Sequence, residues 1–462
     1  MTTAKLPDGP RTPGFVQGLQ IMVARTRTWR GWHEKYGSAF VVSVPRFGSA
    51  VVLSDPAEVK ALFTAPTDQV DTIEVNLGEF LGPGSLFSLK GDQHRKQRKL
   101  LTPPFHGRRL AVYEQLIEEE AIREMATWPH GREFPTMDSM SRITLNVILR
   151  AVFGAEGAEF DQLRTLLPKL VLIGSALAAL PVPRGFLGSY GPWARFARYR
   201  REYDEIVARL IERTAADPGL ADRNDVLAMM IQSRYEDGSP MTRGHISDEL
   251  LTLLTAGHET TATTLAWTVE RLRRHPELLR RLVAEVDAGG SELREATLVE
   301  VQRVRPVIDF TARKICAESF ELGRWTLPRG QTVFVSIRGM HDSAELFPNP
   351  RAFDPDRFLG VRPNTWTWIP FGGGARRCIG ASFATMELNV VLRTLLRDFT
   401  LETTDAPEER THFRGVALVP AKKGRAIVRR RTARPDVGAD GEAATGSARR
   451  GGAAARSAEV TA

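Results

Sequence analysis

Apolar and polar positions sort this chain into long helical stretches, with a few strands near its two ends. Phe40-Val41-Val42-Ser43-Val44 and Ala50-Val51-Val52-Leu53 flank a turn between Pro45 and Ser49, which predicts two strands. Asp55-Pro56 then opens a helix through Phe63, with proline at the first helical position. Between Val70 and Lys90 the periodicity is poor, and Gly78, Gly82, Pro83 and Gly84 interrupt it. A long loop is expected there, and long loops in compact domains tend to be functional. Residues 91–101 read as a helix stopped by Pro103-Pro104. Helical spacing also covers 113–127, 138–153 and 191–215. Residues 247–274 form one helical pattern, roughly 42 Å long at about 1.5 Å per residue, ended by His275-Pro276. Two further helices lie between His275 and Arg305, a strand at 331–337 and a hairpin at 413–420. The expected class is mainly α with small β-sheets.

Chemistry concentrates at Phe371-Gly372-Gly373-Gly374-Ala375-Arg376-Arg377-Cys378-Ile379-Gly380, just before a run of good helix formers. A cysteine on a glycine loop entering a helix meets unpaired N–H groups and the positive end of the dipole. Those groups favour the thiolate, which is the metal-ligating form. Glycines also remove the Cβ atoms that would keep a flat cofactor off the loop. Out of context a lone cysteine is more often a small hydrophobe. Here the setting points to Cys378 as the axial ligand of a haem iron.

The run resembles the haem-binding signature of the cytochrome P-450 superfamily, Phe-x-x-Gly-x-Arg-x-Cys-x-Gly. Phe371, Gly374, Arg376, Cys378 and Gly380 fill its fixed positions. The resemblance extends from about Leu6 to Val428 and implies that family's fold, with haem b between the long central helix and the Cys378 loop with its following helix. It implies one domain over 1–431, followed by a tail at 432–462. That tail is Ala, Gly, Arg and Ser with few core-formers, which reads as disorder.

Further motifs stand where the family has them. Ala256-Gly257-His258-Glu259-Thr260-Thr261 matches its oxygen-binding groove in the middle of the long helix. Glycine and threonines weaken that stretch, so a bend is expected. The resemblance gives Ala256 to the cofactor face. Thr260 is expected to face the oxygen while Glu259 feeds it protons. The alternative is that Thr260 only bonds back to its own helix and Glu259 makes a structural ion pair. His94 and Arg98 share a helix face one turn apart, and the resemblance assigns them, with Arg313, to the haem propionates. Glu300 and Arg303 also share a face, and by resemblance they form a buried ion triad with Arg357. Leu86, Phe87, Val307, Ile308, Phe310 and Val416 are the implied substrate-pocket lining, under a mobile roof at 166–188.

The chain has 462 residues and two cysteines, so a disulfide scaffold is excluded. Cys316 is read as a structural thiol, and a reducing cytoplasm is expected. The N-terminal segment is polar and proline-rich with no signal-peptide core. The most apolar run, 170–182, is too short to span a bilayer; peripheral contact through it or through Phe186-Leu187 stays open. A net charge of +8 comes with no nucleic-acid motif, which favours an acidic protein partner. No flavin or iron–sulfur motif is present, so electrons are expected from a separate ferredoxin and NAD(P)H-dependent reductase. The ferredoxin is expected to dock on Arg95, Lys96, Lys99 and Arg377. The resulting expectation is a monomeric monooxygenase inserting one atom of O2 into a small apolar substrate: a lipid, steroid, terpenoid or aromatic compound. The alternatives are a haem-thiolate peroxygenase or isomerase, and a non-catalytic haem sensor.

Overall fold

One helix sets the position of the others. The computed structural model describes residues 4–44, 48–73, 77–107, 110–154, 157–177 and 191–431. The expected turn at 45–47, the roof beyond 177, the Phe186-Leu187 contact and the tail at 432–462 lie outside these residues. In chain order, α1 (Gly14–Tyr36) leads into β1 (Ala39–Val44) and β2 (Gly48–Leu53), then α2 (Pro56–Thr64) and β3 (Val70–Asp71). The Asp55 carboxylate accepts the Ala57 and Glu58 N–H groups and so caps α2. The stretch read as one loop contains a short helix, α3 (Leu77–Leu81). Five residues are too few to show a period. Tertiary contacts hold it instead: Phe80 stacks on Trp193 and meets Phe196 edge-on.

Next come α4 (Gly91–Leu101), α5 (Leu110–Met125), β4 (Phe134–Pro135), α6 (Thr136–Phe153), α7 (Ala158–Leu177), α8 (Gly191–Ala215) and α9 (Val226–Gln232). The central helix is α10 (Arg243–Leu272), followed by α11 (Pro276–Asp287) and α12 (Glu292–Val304). The strands β5 (Phe310–Ile315), β6 (Ser319–Leu322), β7 (Trp325–Pro328) and β8 (Thr332–Ser336) precede α13 (Ile337–His341) and α14 (Ala381–Asp398). The described chain ends with β9 (Phe399–Leu401), β10 (Thr411–Arg414), β11 (Ala417–Pro420), β12 (Arg425–Ala426) and β13 (Val428–Arg430).

α10 has 30 residues and runs without a break. Gly257 and the threonines do not interrupt it. Thr255, Thr260, Thr261, Thr263 and Thr264 each donate a hydroxyl to the carbonyl four residues back, so none is left unpaired in the interior. Gly257 packs against α6, where a Cβ would come within 3.3 Å of Ile148. The largest apolar cluster surrounds α10 and joins α5, α6, α7, α8 and α14. A second cluster lies under the five-stranded sheet, ordered β1-β2-β8-β5-β3, in which only β2 and β8 run parallel. The β10–β11 hairpin is tied to α10 where Trp267 Nε1 donates to the Leu418 carbonyl at 2.8 Å. Among the described residues no helix is long and apolar enough to cross a membrane.

Candidate functional site

The loop before α14 folds back on itself, with the Cys378 N–H donating to the Phe371 carbonyl at 2.9 Å. α14 starts without a side-chain cap, and the Gly380 N–H is directed at the Cys378 thiol. Two of the glycines serve a different purpose from the one expected. A Cβ at Gly374 would lie 2.0 Å from the Phe63 carbonyl oxygen, and one at Gly373 would lie 2.3 Å from the Phe63 ring. They let the loop close on α2. Gly372 and Gly380 face open space. Cys378 is accessible to solvent, yet burial pushes its thiol above the ordinary range, outweighing Gly380 N–H, Arg377 and Arg98. The expectation that the loop alone favours thiolate is therefore corrected, because desolvation wins. A metal ion bound there would deprotonate the thiol by its own charge.

Positive charge gathers beside this loop. His94 is buried on α4, with Arg98 half-buried one turn on, while Arg95, Lys96 and Lys99 point outward. Burial, then Arg376 and Arg98, lowers the His94 pKa to about 4. Arg313 on β5 donates to Thr311 Oγ1 and to the Ala312 and Gly373 carbonyls, and burial lowers its pKa to about 10. Arg376 donates to the Leu86 carbonyl at 3.0 Å, the Leu89 carbonyl at 2.8 Å and Asp71 Oδ1 at 2.7 Å. Its Nε is buried without a partner. Among the described residues Asp71 is the one carboxylate in this cluster; Arg98 and Arg313 have no ion-pair partner. Partly desolvated cations short of anions call for negative charge from a bound group. A haem brings two carboxylates, so the residues present fit it.

In the middle of α10, Ala256 is exposed and Thr260 half-exposed, while His258 and Thr261 beside them are buried. α10 and α14 pack against each other. Thr260 Oγ1 donates to the Ala256 carbonyl at 2.9 Å. Glu259 Oε1 lies 3.5 Å from Arg414 Nε on β10. Burial raises the Glu259 pKa, and Arg414 opposes the rise. His258 points away, with Nδ1 2.6 Å from the Leu254 carbonyl.

The structure brings Glu300, Arg303 and Arg357 together. Arg303 grips Glu300 with two bonds of 2.6 and 2.7 Å, and both side chains are fully buried. Arg357 Nε reaches Glu300 Oε1 at 3.3 Å. Arg303 also donates to the carbonyls of His341, Pro350 and Ala352. The His341 ring, with its pKa lowered to about 3 by burial and Arg303, accepts the Ile369 N–H. A network of hydrogen bonds thus leads from the triad to the segment before the Cys378 loop.

The pocket residues are less uniform. Leu86 is buried, whereas Phe87 and Val416 are exposed. Val307 packs with Met137 and Ala417, Ile308 joins the sheet core, and Phe310 lies 4.6 Å from Trp29 in another cluster. Several residues at the site went unforeseen. No spacing in the sequence connects Arg414 to Glu259, Asp71 to Arg376, or the buried Glu387 to its neighbour Thr261. A cleft of about 370 Å³ beside α14, lined by Glu114, Arg294 and Arg393, includes none of the site groups.

A cysteine on a loop entering a helix, beside cations short of anions, fits a haem-thiolate site. The family model for cytochrome P-450 matches residues 7–428, and the chain belongs to that family of haem-iron monooxygenases. It is similar to cytochrome P-450 138 of Mycobacterium tuberculosis, 52% identical over 427 residues, covering 92% of this chain and 97% of the relative. Cytochrome P-450 135B1 of the same organism is 40% identical over 433 residues, covering 92% and 91%. Among solved structures, the retinoic-acid-bound cyanobacterial CYP120A1 superposes with a TM-score of 0.80 at 21% identity, covering 93% of this chain and all of that one. The mainly helical fold with small sheets, and haem b as the cofactor, follow for this chain.

Proposed function

We propose that the chain hydroxylates or epoxidises a small apolar substrate, a lipid, steroid, terpenoid or aromatic compound, in the cytoplasm. One atom of O2 enters the substrate; the other leaves as water, with two protons and two electrons. The electrons come from a separate ferredoxin and its NAD(P)H-dependent reductase, and the working unit is the 1–431 domain of a monomer. The observation that carries this reading is the Cys378 loop beside a cluster of cations, His94, Arg98, Arg313 and Arg376, in which Asp71 is the one carboxylate among the described residues.

Haem, when bound, supplies O2 activation. Cys378 would hold its iron. His94, Arg98, Arg313 and Arg376 would hold its carboxylates by charge-assisted hydrogen bonds. Phe371, Gly374 and Gly380 shape the ligand loop. Glu259 and Thr260 move protons. Because the Thr260 hydroxyl donates to Ala256, its oxygen keeps lone pairs that can accept a hydrogen bond. Glu259, raised by burial, keeps a protonated fraction nearer neutrality than an exposed carboxylate does. The triad of Glu300, Arg303 and Arg357 holds the fold beneath the loop.

The test is the reduced, CO-bound spectrum of the haem-loaded protein. A strongly red-shifted Soret band is expected in the wild type and is lost in Cys378→Ser, together with monooxygenase turnover. Wild-type turnover in that variant would overturn the assignment.

A further inference from the structure

The first half of α1 is built inside out. Its helix is interrupted at Ala24, which has non-helical angles, so residues 14–23 form a separate short segment. Gln17 is the buried residue of that segment. It is a polar peg: its amide donates to the Pro10 and Thr12 carbonyls and its oxygen accepts the Ser43 N–H. The opposite face is apolar and open: Phe15 is 75% exposed, Leu19 58%, Met22 82% and Val23 77%. At about 100° per residue these four fall within an arc of about 100°, opposite Gln17. Isolated exposed apolar residues are ordinary, but a contiguous face of this kind marks a contact surface.

The surroundings continue that face and set its charge. Arg25, next after the kink, lies 4.3 Å over the Phe413 ring at the β10–β11 turn, and Phe413 and Val416 are themselves exposed. Gly415 between them abuts Ser175 on α7, one turn from the exposed Leu172. Between Gly9 and His33 the sequence has Arg11, Arg25, Arg27 and Arg30 and no acidic residue. Arg25 and Arg30 pair with Asp309 and Asp342. Arg11 and Arg27 are exposed and make no ion pair among the described residues.

We infer that this face, Phe15, Leu19, Met22 and Val23 with the exposed Arg27 further along the same helix, is a docking surface for an anionic lipid bilayer. Apolar side chains enter the acyl boundary while arginines meet the headgroups, the pattern of an interfacial helix. A second copy of the chain is a poorer occupant, since a two-fold contact through this face would bring the same unpaired arginines together. The surface adjoins the hairpin whose Arg414 reaches Glu259.

Flotation of the full-length holoprotein with phosphatidylcholine vesicles, with and without phosphatidylglycerol, tests the inference. Wild type is expected to float with the anionic vesicles and to be released by salt. Met22→Glu with Val23→Glu should reduce partitioning at least about tenfold, as lost apolar burial requires. The same variant should keep its reduced-CO spectrum and its melting temperature. Arg27→Glu should weaken binding and its salt dependence. Absence of wild-type flotation, equal flotation with neutral vesicles, or flotation indifferent to Met22 and Val23 overturns the proposal. So does a wild-type dimer in light scattering that the Met22/Val23 variant converts to monomer.

Discussion

Arg414 is where single side chains meet in a way that affects chemistry. It approaches Glu259 to 3.5 Å and is the charge that opposes the burial-driven rise in that carboxyl's pKa. The hydroxyl of Thr260 meanwhile remains committed as a donor to Ala256. If Glu259 supplies protons, replacing Arg414 changes when it can do so. Arg414→Gln removes the stabiliser of the carboxylate, so the Glu259 pKa rises further, and the ionisation limb seen in turnover shifts to higher pH. Glu259→Gln should slow O2 turnover by about a hundredfold, the lower range for loss of a positioned acid–base group, with a larger solvent isotope effect. Thr260→Ala should keep NAD(P)H consumption near normal but divert most electrons to hydrogen peroxide. Rate–pH profiles and peroxide yields measure these outcomes. Wild-type coupling in both relay variants would leave Thr260 as a helix-bonded residue and Glu259 as half of an ion pair.

Among the elements, α10 does more than carry Glu259 and Thr260. Its first turns hold the segment before α4. The Gly84 N–H donates to Asp248 Oδ2 at 2.9 Å, and Thr252 Oγ1 lies 2.7 Å from Ser85 Oγ. Gln97 Nε2 bridges the Gly84 carbonyl and Glu249 Oε1 at 2.7 and 2.9 Å. The other Glu249 oxygen is buried near the Leu86 N–H without closing a hydrogen bond. Burial raises the Glu249 pKa to about 8, with Asp248 adding to the rise. A carboxyl whose folded pKa exceeds its unfolded value contributes most below the unfolded pKa of 4.5, and this contribution is lost as pH rises through about 8. Hydrogen-exchange protection factors at residues 84–97, corrected for the intrinsic rise of exchange with pH, should therefore fall between pH 4.5 and 8, and melting temperature should fall with them. Glu249→Gln should flatten both trends. The expected helices over 138–153 and 191–215 were legible because their apolar faces repeat at helical spacing, that over 91–101 because Pro103-Pro104 stops it, and α10 because its apolar positions continue for many turns. α3 was not legible, since aromatic packing on Trp193 and Phe196 maintains it. The unbroken course of α10 was also hidden, because back-bonding threonines satisfy the interior locally. The candidate site divides the same way: Cys378, Glu300 and Arg303 carry local motifs. Arg414, Asp71 and Gln97 matter through partners more than two hundred residues away or on other elements, and no local pattern encodes them.

At the scale of the whole molecule, part of the positive charge gathers on the Cys378 side of the site. The outer face of α4 presents Arg95, Lys96 and Lys99, and the Arg98 beneath them senses Arg377 of the Cys378 loop. This places the exposed Arg377 with them on one side of the site. The patch is not uniformly basic. Asp92 pairs with Arg95 and with Lys96, and Glu236 lies 2.9 Å from Lys99. These pairs are exposed and weak in water, so they reduce the local field without cancelling it. An acidic ferredoxin approaching this side would gain mainly in association rate, and salt would screen the gain over about 8–10 Å. Reduction of the wild-type holoprotein by ferredoxin should therefore slow as ionic strength rises. Arg95→Glu with Lys96→Glu should slow it about tenfold at low salt, with little difference left at high salt. Arg377 stays unaltered in that variant because its charge also acts on Cys378. Reduction by dithionite, a small ion that needs no docked surface, should be equal in the two proteins. Stopped-flow measurement with both reductants separates the cases: ferredoxin reduction that ignores both salt and charge reversal would mean electrons enter through another face.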